Sequence, residues 1–380
     1  MKIIQLFNSS LVSGPENLIL RNLSASSWDW ELWNLEETRR GEADSNPLAL
    51  ECRRLGIRYR GFSVSSRFDR QAIAKLRAAL DEASPSLVHA HDVKASSYLN
   101  WSGYLGAPRV STHHGIRGRP DFKTRLLEKY YRLWVLRNFD CVLSVSREDQ
   151  GVLSRGLGSK ARLLRNGIPF PSAEELRRFQ EQREPLRSAW AARAKWGSRS
   201  LSKFWVGFVG RLSAEKNPFF ALDIATQSDI NLVFIGDGIL RASLEEEIRV
   251  RGLGSRVACL GYEPGMNEKL SALDVVLSVS DAEGLPLNLL EAAGQSTPFL
   301  AKAVGGIPEI SDTPALSETL LDANDLPLVF AARLSQWNKY SVRRQQLGAK
   351  LRERVVAEFS DVAWRAQLEA IYKELGVSVC

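Results

Sequence analysis

The residues best suited to chemistry are two glutamates in the second half of the chain, Glu283 and Glu291. They stand where an apolar run ends and a helical pattern begins. A helix starting near Gly284 would present free backbone N–H groups, which bind phosphate. The spacing predicts carboxylates that hold sugar and ribose hydroxyls beside a phosphate site. A capping glutamate followed by a surface glutamate explains the same spacing equally well.

Basic side chains and glycines follow other predicted strands of the same half. The stretch 210–217 carries Arg211 and Lys216, and a diphosphate leaving group needs such positive charge. The segments Gly-Asp-Gly at 236–238 and Gly-Gly-Ile-Pro-Glu at 305–309 indicate tight turns where the backbone approaches a ligand or a helix.

All four histidines lie at the ends of two predicted strands, as His89, His91, His113 and His114. Strand alternation puts His89 and His91 on one face, so we expect one to be packed, with His91 the better site candidate. A histidine after the second of these strands either caps the following turn or contacts substrate.

The elements that must position these residues alternate between short apolar runs and longer helical patterns, as in a doubly wound parallel α/β sheet. Strands are predicted at 2–7, 57–64, 86–91, 109–113, 140–145, 161–164, 204–209, 231–235, 256–260, 274–279, 298–302 and 327–330. Helices are predicted at 15–25, 69–83, 94–105, 123–138, 147–155, 216–227, 240–252, 265–272, 286–295 and 341–375.

The 380 residues suggest two domains of ordinary globular composition, with 44% apolar and 25% charged residues. We predict a Rossmann-like acceptor domain at 1–170, a linker and helical connector at 171–203, and a second Rossmann-like domain at 204–355. A last helix at 356–380 is expected to return to the first domain. Ligands of such sheets sit at the carboxyl ends of the strands, so the chemistry should lie on the loops there.

The net charge of +7 is concentrated in the first half, where residues 1–170 carry 26 basic and 17 acidic side chains. An anionic partner follows from this excess. The segment 117–137 holds seven basic and two acidic residues. Its apolar stripe, Leu126, Leu127, Tyr130, Leu133 and Trp134, suits either an anionic membrane surface or the core face of a helix. The early tryptophans Trp28, Trp30 and Trp33 are packed in the core, stack on sugars or insert into an interface.

Four scattered cysteines indicate a reducing, cytoplasmic compartment without a disulfide framework or zinc site. No apolar run reaches the length of a membrane span, and the first residues are too few for a signal peptide. A metal site is not expected.

Taken in order, four motifs resemble those of retaining glycosyltransferases of family 4. They are Gly-Arg-Leu-x4-Lys from 210, Gly-Asp-Gly from 236, Glu-Gly-Leu-Pro-x4-Glu-Ala from 283 and Gly-Gly-Ile-Pro-Glu from 305. The resemblance is dense over 204–310 and looser over 1–170, where Asn166 stands in an Asn-Gly-Ile turn. It implies the GT-B fold, in which two Rossmann-like domains face each other across a cleft.

The resemblance also implies roles for matching residues. Glu283 would bind the donor sugar, Glu291 the ribose, and Arg211 and Lys216 the departing diphosphate. His114 would line the catalytic cleft, and His91 and Asn166 are candidates for the acceptor side. The remaining donor contacts implied are Gly14, Gly210, Gly236, Gly238, Gly284, Leu285, Pro286 and Leu287. The loop around Gly14 departs from the family pattern, because Ser13 and Pro15 flank it.

The function so implied is transfer of a hexosyl or N-acetylhexosaminyl group, with retention, from a nucleotide-diphosphate sugar to a lipid-linked or phosphorylated cell-surface glycan of lipopolysaccharide or polysaccharide type. The absence of Asp-x-Asp from the sequence agrees with a metal-independent reaction that needs no cofactor. The expected location is cytoplasmic, peripheral on the inner face of the membrane. Alternatives are a GT-B relative with epimerase or phosphorylase chemistry, and a basic nucleic-acid-binding or membrane-binding protein. A dehydrogenase is disfavoured, because Gly-x-Gly-x-x-Gly does not follow the first strand.

Overall fold

The computed structural model describes residues 2–10, 12, 14–24, 26–37, 46–114, 129–197 and 203–377. The chain forms two compact units. The first comprises Met1–Pro169 with Asp361–Cys380, and the second comprises Phe170–Ser360. Residues 171–203, expected as a connector, thus fall within the second unit, and the chain returns to the first unit at Asp361 rather than at 356.

The first unit is built on a parallel sheet that has seven strands in the described residues, ordered β3-β2-β1-β4-β5-β6-β7. Its strands are β1 (Ile3–Phe7), β2 (Trp30–Glu37), β3 (Tyr59–Val64), β4 (Leu87–Ala90), β5 (Arg109–His113), β6 (Cys141–Ser144) and β7 (Ala161–Leu163). Its helices are α1 (Gly14–Ser24), α2 (Pro47–Arg54), α3 (Arg70–Ala83), α4 (Val93–Trp101) and α5 (Arg147–Leu157). Every residue of β1 is buried, as expected for a central strand covered on both faces.

Strand β2 and helix α2 are absent from the sequence-based prediction. In β2, charged and apolar residues are mixed, so neither clean alternation nor a continuous apolar run marks it. Trp30 and Trp33 lie in this strand and are buried, which assigns both to the core rather than to a sugar-binding surface. Asn46 caps α2, its side chain accepting from the Leu48 N–H, and Pro47 occupies the first helical position.

The second unit is built on a six-stranded parallel sheet in the described residues, ordered β10-β9-β8-β11-β12-β13. Its strands are β8 (Trp205–Val209), β9 (Asn231–Ile235), β10 (Val257–Gly261), β11 (Val275–Ser278), β12 (Phe299–Lys302) and β13 (Leu320–Leu321). Its helices are α6 (Ala173–Glu181), α7 (Arg183–Arg193), α8 (Pro218–Thr226), α9 (Arg241–Val250), α10 (Met266–Lys269), α11 (Leu287–Gly294), α12 (Ile307–Ile310), α13 (Pro327–Lys339) and α14 (Ser341–Glu358).

The predicted strand at 327–330 is wrong, because these residues begin α13. Pro327 stands at the first helical position, where its missing N–H costs nothing. Leu328 is 62% exposed, so the apolar run does not mark a buried strand. The short strand β13 was not predicted, and the helix predicted at 341–375 is interrupted at Ser360.

A buried aspartate, Asp274, joins α7 and α14 to the start of β11. Its two carboxylate oxygens accept from Arg183 at 2.6 Å, Arg187 at 2.7 Å and Arg344 at 3.0 Å. The Trp205 N–H donates to the same carboxylate at 2.9 Å, which ties in the first residue of β8. A carboxylate that accepts four donors in a buried position fixes the amino edge of this sheet.

The last helix, α15 (Asp361–Glu374), packs on the first unit. Its buried face, Trp364, Leu368, Ile371 and Tyr372, joins the core cluster that contains Ile3 and Leu32. No helix in the described ranges is long and apolar enough to cross a membrane.

Candidate active site

Four loops leave the carboxyl edge of the second sheet, after β8, β9, β11 and β12. Their backbones bond directly to one another. The Leu212 N–H donates to the Asp237 carbonyl at 2.9 Å, which joins the first two loops. The Gly306 N–H donates to the Gly284 carbonyl at 2.7 Å, which joins the last two. The Asp281 N–H donates to the Glu215 carbonyl at 2.9 Å, which joins the two pairs, so the predicted site motifs form one cluster.

Glycines permit this close approach. A Cβ on Gly236 would lie 2.0 Å from the Gly210 carbonyl oxygen, and one on Gly305 would lie 1.8 Å from the Glu283 carbonyl oxygen. Gly305 also has a φ of +56°, which favours glycine. A Cβ on Gly238 would lie 2.3 Å from the Leu212 oxygen. The backbone therefore approaches other loops here, where the sequence suggested a ligand or a helix.

Lys216 and Glu283 form an ion pair across two of these loops. Lys216 Nζ donates to Glu283 Oε1 at 2.5 Å, and Ser280 Oγ donates to the same oxygen at 2.7 Å. The Glu283 side chain is 10% exposed and that of Lys216 is 27% exposed. The two predicted residues are thus brought together, and both still reach the surface of the unit.

Helix α11 begins directly after this pair and carries Glu291. Pro286 stands at its N-cap position and Leu287 is its first residue, while Leu285 is buried. Asn288 Nδ2 donates to the Val209 carbonyl at 2.7 Å, which docks the first turn of the helix on the end of β8. The amino end of α11, with its free N–H groups and positive dipole, therefore faces the same edge as the loops.

Arg211 is placed differently from Lys216. Its guanidinium is 58% exposed and lies 3.9 Å from the Glu215 carboxylate, within its own loop. Gly210, at the end of β8, has a φ of +149°. The structure therefore joins Lys216 to Glu283 and leaves the Arg211 head group extended toward solvent.

All four histidines gather at the carboxyl edge of the first sheet. The ring centroids of His89 and His91 are 4.1 Å apart, as strand alternation leads one to expect, and those of His91 and His114 are 5.9 Å apart. Phe7 stacks on the other side of His91 at 4.4 Å. His91 Nε2 is 2.6 Å from Gln5 Oε1. Both His89 and His91 are buried, so the packing expected of one of them holds for both, and the site role of His91 stays a prediction.

A hydrogen-bonded chain runs from α15 to β5 through His89. Its Nδ1 lies 2.7 Å from the Tyr372 hydroxyl, and its Nε2 lies 2.6 Å from Thr112 Oγ1. Thr112 precedes His113 and His114, so the chain ends at the predicted catalytic turn. Sequence reasoning missed Tyr372, because no local pattern links residues 283 positions apart.

Burial keeps these imidazoles neutral. Desolvation lowers the pKa of His89 and His114 to about 3 and that of His113 to about 4, and it holds the pKa of His91 well below its usual value. Among the described residues, no hydrogen bond reaches His91 Nδ1, His113 Nδ1 or His114 Nε2. Burial also raises the pKa of the neighbouring Asp92 to about 6.

Two further predicted residues lie in the first unit. Gly14 is the first residue of α1, as expected for a loop that turns into a helix. Asn166 is buried in the turn after β7, and the next carbonyl, that of Gly167, accepts from Asn22 Nδ2 at 2.7 Å. Asn22 belongs to α1, so this bond ties the turn to that helix.

The basic segment is described only over its last part, since residues 117–128 lie outside the described ranges. Within 129–137, the core contacts come from Tyr131, Val135 and Leu136. Two members of the predicted stripe, Tyr130 and Trp134, are instead 47% and 67% exposed. The interpretation of this stripe as a core face is therefore wrong for these two residues.

Within the described ranges, no group of three or more His, Cys, Asp or Glu side chains is placed to hold a metal ion.

Sequence models of two families match the chain, group 1 of the glycosyl transferases over residues 190–354 and glycosyltransferase family 4 over residues 32–170. EpsF of Bacillus subtilis, described as a glycosyltransferase, is 28% identical over 315 residues, which span 78% of this chain and 75% of EpsF. The UDP-Gal:alpha-D-GlcNAc-diphosphoundecaprenol alpha-1,3-galactosyltransferase of Escherichia coli is 24% identical, over 63% of each chain.

The crystal structure of HepE from Anabaena in complex with UDP-glucose superposes with a TM-score of 0.82 over 98% of this chain and 100% of HepE, at 18% identity. Fold, motifs and family matches agree. The chain is a GT-B glycosyltransferase and belongs to the family 4 type.

A first prediction concerns the packing of Gly305 on Glu283. In Gly305→Ala, the Cβ displaces the Glu283 backbone, so we expect at least tenfold weaker binding of a nucleotide sugar and a loss of about 1–3 kcal/mol of stability beyond the backbone cost. Gly252→Ala is the matched control, because its φ of +66° is similar and nothing lies within 4 Å of the added Cβ. Calorimetry and thermal unfolding measure both effects, and equal behaviour of the two variants would contradict the prediction.

A second prediction concerns acid stability. The folded pKa values of the histidines lie below the unfolded value of 6.5, so the unfolded state binds protons first as the pH falls. Stability is therefore full above pH 6.5 and is lost toward pH 3–4, at up to about 1.4 kcal/mol per pH unit for each histidine. The contribution of Asp92 to stability has the opposite pH dependence, because its folded pKa is raised. This contribution is full below pH 3.8 and is lost as the pH rises through about 6.

Denaturant unfolding at pH 7.5 and pH 5.0 tests these signs. His91→Gln removes one titrating group. Between pH 7.5 and pH 5.0, its free energy of unfolding should therefore fall by about 2 kcal/mol less than that of the wild type. Asp92→Asn preserves the N-cap and removes the group whose pH dependence opposes that of the histidines. Its free energy of unfolding should therefore fall by more than that of the wild type. Identical pH dependence in all three proteins would refute the assignment.

Proposed function

We propose that the chain transfers a hexose-type sugar from a nucleotide diphosphate to a glycan acceptor, with retention and without a metal. The observation that carries this proposal is the Lys216–Glu283 ion pair beside the amino end of α11. An ammonium and a helix amino terminus suit a diphosphate, and a partly exposed carboxylate suits sugar hydroxyls. Glu291, four residues into the same helix from Leu287, is the proposed ribose ligand.

In this proposal the charge that develops on the departing diphosphate is balanced by Lys216, by Arg211 and by the α11 amino end. Preorganised positive charge of this kind lowers the barrier because it need not reorganise during the reaction. The exposed Arg211 must swing from Glu215 onto the phosphates. Glu283 is already held by two donors, so its role is to orient the sugar rather than to attack it. The acceptor hydroxyl then attacks from the face that the diphosphate leaves, and a phosphate oxygen takes its proton.

The donor and acceptor classes are inferred from relatives. HepE binds UDP-glucose, and the Escherichia coli relative uses UDP-Gal and a diphosphoundecaprenol acceptor. We infer a UDP-sugar as the first donor to test and a lipid-linked or phosphorylated precursor of a cell-surface polysaccharide as the acceptor. His114 and His91, as neutral buried imidazoles, are the first-unit candidates for sugar contacts.

The first unit, which contains the candidate acceptor residues, also has a basic surface segment at 129–137. The exposed Tyr130 and Trp134 alternate with Lys129, Arg132 and Arg137. Aromatic rings with adjacent cations suit an anionic membrane interface. We therefore propose peripheral attachment to anionic lipid through 129–137.

Nucleotide binding is the decisive prediction. Titration of UDP, GDP, ADP and TDP in EDTA should show one bound nucleotide, and Glu291→Ala should weaken it about 10–100-fold, the loss expected for a hydrogen bond to a charged group. Glu246→Ala is the control, because that glutamate pairs with Arg249 on the exposed face of α9. Failure of the folded wild-type chain to bind any of the four would count against the proposal.

Membrane attachment has its own prediction. Trp134→Ala should bind vesicles of phosphatidylglycerol and phosphatidylcholine about tenfold less than wild type, because a Trp side chain is no longer buried in the interface. Salt at 0.5 M should also weaken the binding of the wild-type protein to these vesicles, because it screens the attraction between basic side chains and anionic lipid. Leu326→Ala, which removes a side chain of similar exposure in the second unit, should bind like wild type. Co-sedimentation measures all three, and equal binding of the two variants would exclude this surface.

A further inference from the structure

A lysine at the end of β12 is buried next to the candidate donor site. The side chain of Lys302 is only 6% exposed. Its Nζ lies 4.2 Å from the centroid of the Phe220 ring and 3.3 Å from Asp281 Oδ1. Neither the motifs nor the ion pair described above involve this lysine.

Its partner, Asp281, connects two of the loops that form the site. Asp281 Oδ1 also accepts from Asn217 Nδ2 at 3.3 Å, and the Asp281 N–H donates to the Glu215 carbonyl at 2.9 Å. Asn217 follows Lys216, and Asp281 stands two residues before Glu283. Asp281 therefore holds the loop after β11 against the loop after β8 beside the Lys216–Glu283 contact, and Lys302 bonds to Asp281 from the end of β12.

The burial of Lys302 is costly. A lysine is seldom buried unless paired, and here the carboxylate that pairs with it is itself 59% exposed. The aromatic contact with Phe220 compensates only in part. An apolar side chain of similar length would fill the same space without desolvation. The charge thus needs a reason beyond packing, and its only ionic contact among the described residues is to the loop that presents Glu283.

We propose that Lys302 is a positioning residue, which acts through Asp281 to hold Glu283 where it meets the donor sugar. This inference rests on the proposed function. The ammonium restrains Asp281, and Asp281 restrains the short segment 281–283. Glu283 binds sugar rather than nucleotide in this scheme, so loss of Lys302 affects the sugar-dependent step and spares the binding of the nucleotide alone.

The first test needs no ligand. Hydrogen exchange of the wild-type chain is compared with Lys302→Met, which keeps the stem against Phe220, and with Asp281→Asn, which changes an exposed side chain and preserves its shape. Backbone amides of 280–285 should exchange about tenfold faster in both variants, whereas those of β9 should not change. Lys203→Met is the control, since Lys203 pairs with the exposed Asp229 at 2.6 Å in the same unit. Unchanged exchange over 280–285 would overturn the inference.

The second test separates positioning from general destabilisation. With UDP and UDP-glucose as probes, Lys302→Met should keep the UDP Kd within twofold and lower the kcat/KM of UDP-glucose hydrolysis about tenfold. The double variant with Asp281→Asn should be no worse than either single variant, because the two residues act as one unit. Lys302→Arg, which keeps the charge, should recover part of the loss.

The outcomes distinguish the two proposals. If Lys302→Met weakens UDP binding as much as it lowers kcat/KM for UDP-glucose, the positioning role is excluded. Additive losses in the double variant would also exclude it, and Lys302 would then serve only the stability of the unit. If the wild-type chain binds none of the four nucleoside diphosphates, the proposed function itself fails, and the inference about sugar placement fails with it. Exchange data from the first test still report whether the pair restrains the loop.

Discussion

Contact between the backbones of neighbouring loops, at the carboxyl edge of the second sheet, is the constraint on which the candidate donor site depends. Parallel strands deliver their loops to one edge, but side chains would ordinarily keep those loops apart. Gly236, Gly238 and Gly305 remove that separation, and carbonyl oxygens of other loops occupy the space where their Cβ atoms would lie. These contacts fix the loop after β9 on the loop after β8, and the loop after β12 on the loop after β11. The loops that carry Lys216 and Glu283 are joined by the Asp281 N–H, which donates to the Glu215 carbonyl at 2.9 Å.

The opposite edge of the same sheet supplies the rigidity that such a site requires. Asp274 gathers three arginines and a strand N–H just before β11, the strand whose other end carries Ser280 and Glu283. A buried carboxylate with this many donors resists movement, because each displaced donor leaves a charge without a partner in a dry environment. The strand is therefore anchored at its start by charge and at its end by backbone contacts. Catalytic groups held on anchored elements keep their geometry better than groups on free loops.

The sequence predicted which residues lie together at the carboxyl edge of the second sheet better than it predicted the elements around them. Glu283, Lys216 and the glycine turns could be predicted because they form dense local motifs after strands. Strand β2 could not be predicted, because charged and apolar residues are mixed along it. Its burial comes from the neighbouring elements and is not marked by its own residue pattern. The run at 327–330 was misread because four apolar residues fit a strand or a helix start equally well, and only the exposure of Leu328 decides between them. Tyr372 and Lys302 could not be found, because no local pattern links them to His89 and Asp281, which lie 283 and 21 positions away.

The carboxyl edge of the first sheet carries neutral polar side chains. Its strands and strand ends bury His89, His91 and Gln5, polar side chains whose removal from water costs free energy. Neutral imidazoles avoid the cost of a buried charge, yet each still holds one donor and one acceptor nitrogen. His89 uses both, on Tyr372 and Thr112. Within the described residues, His91 Nδ1 and His114 Nε2 accept or donate no hydrogen bond. In the proposed function these nitrogens would meet the hydroxyls of a sugar, while the charged groups of the second unit would meet the phosphates.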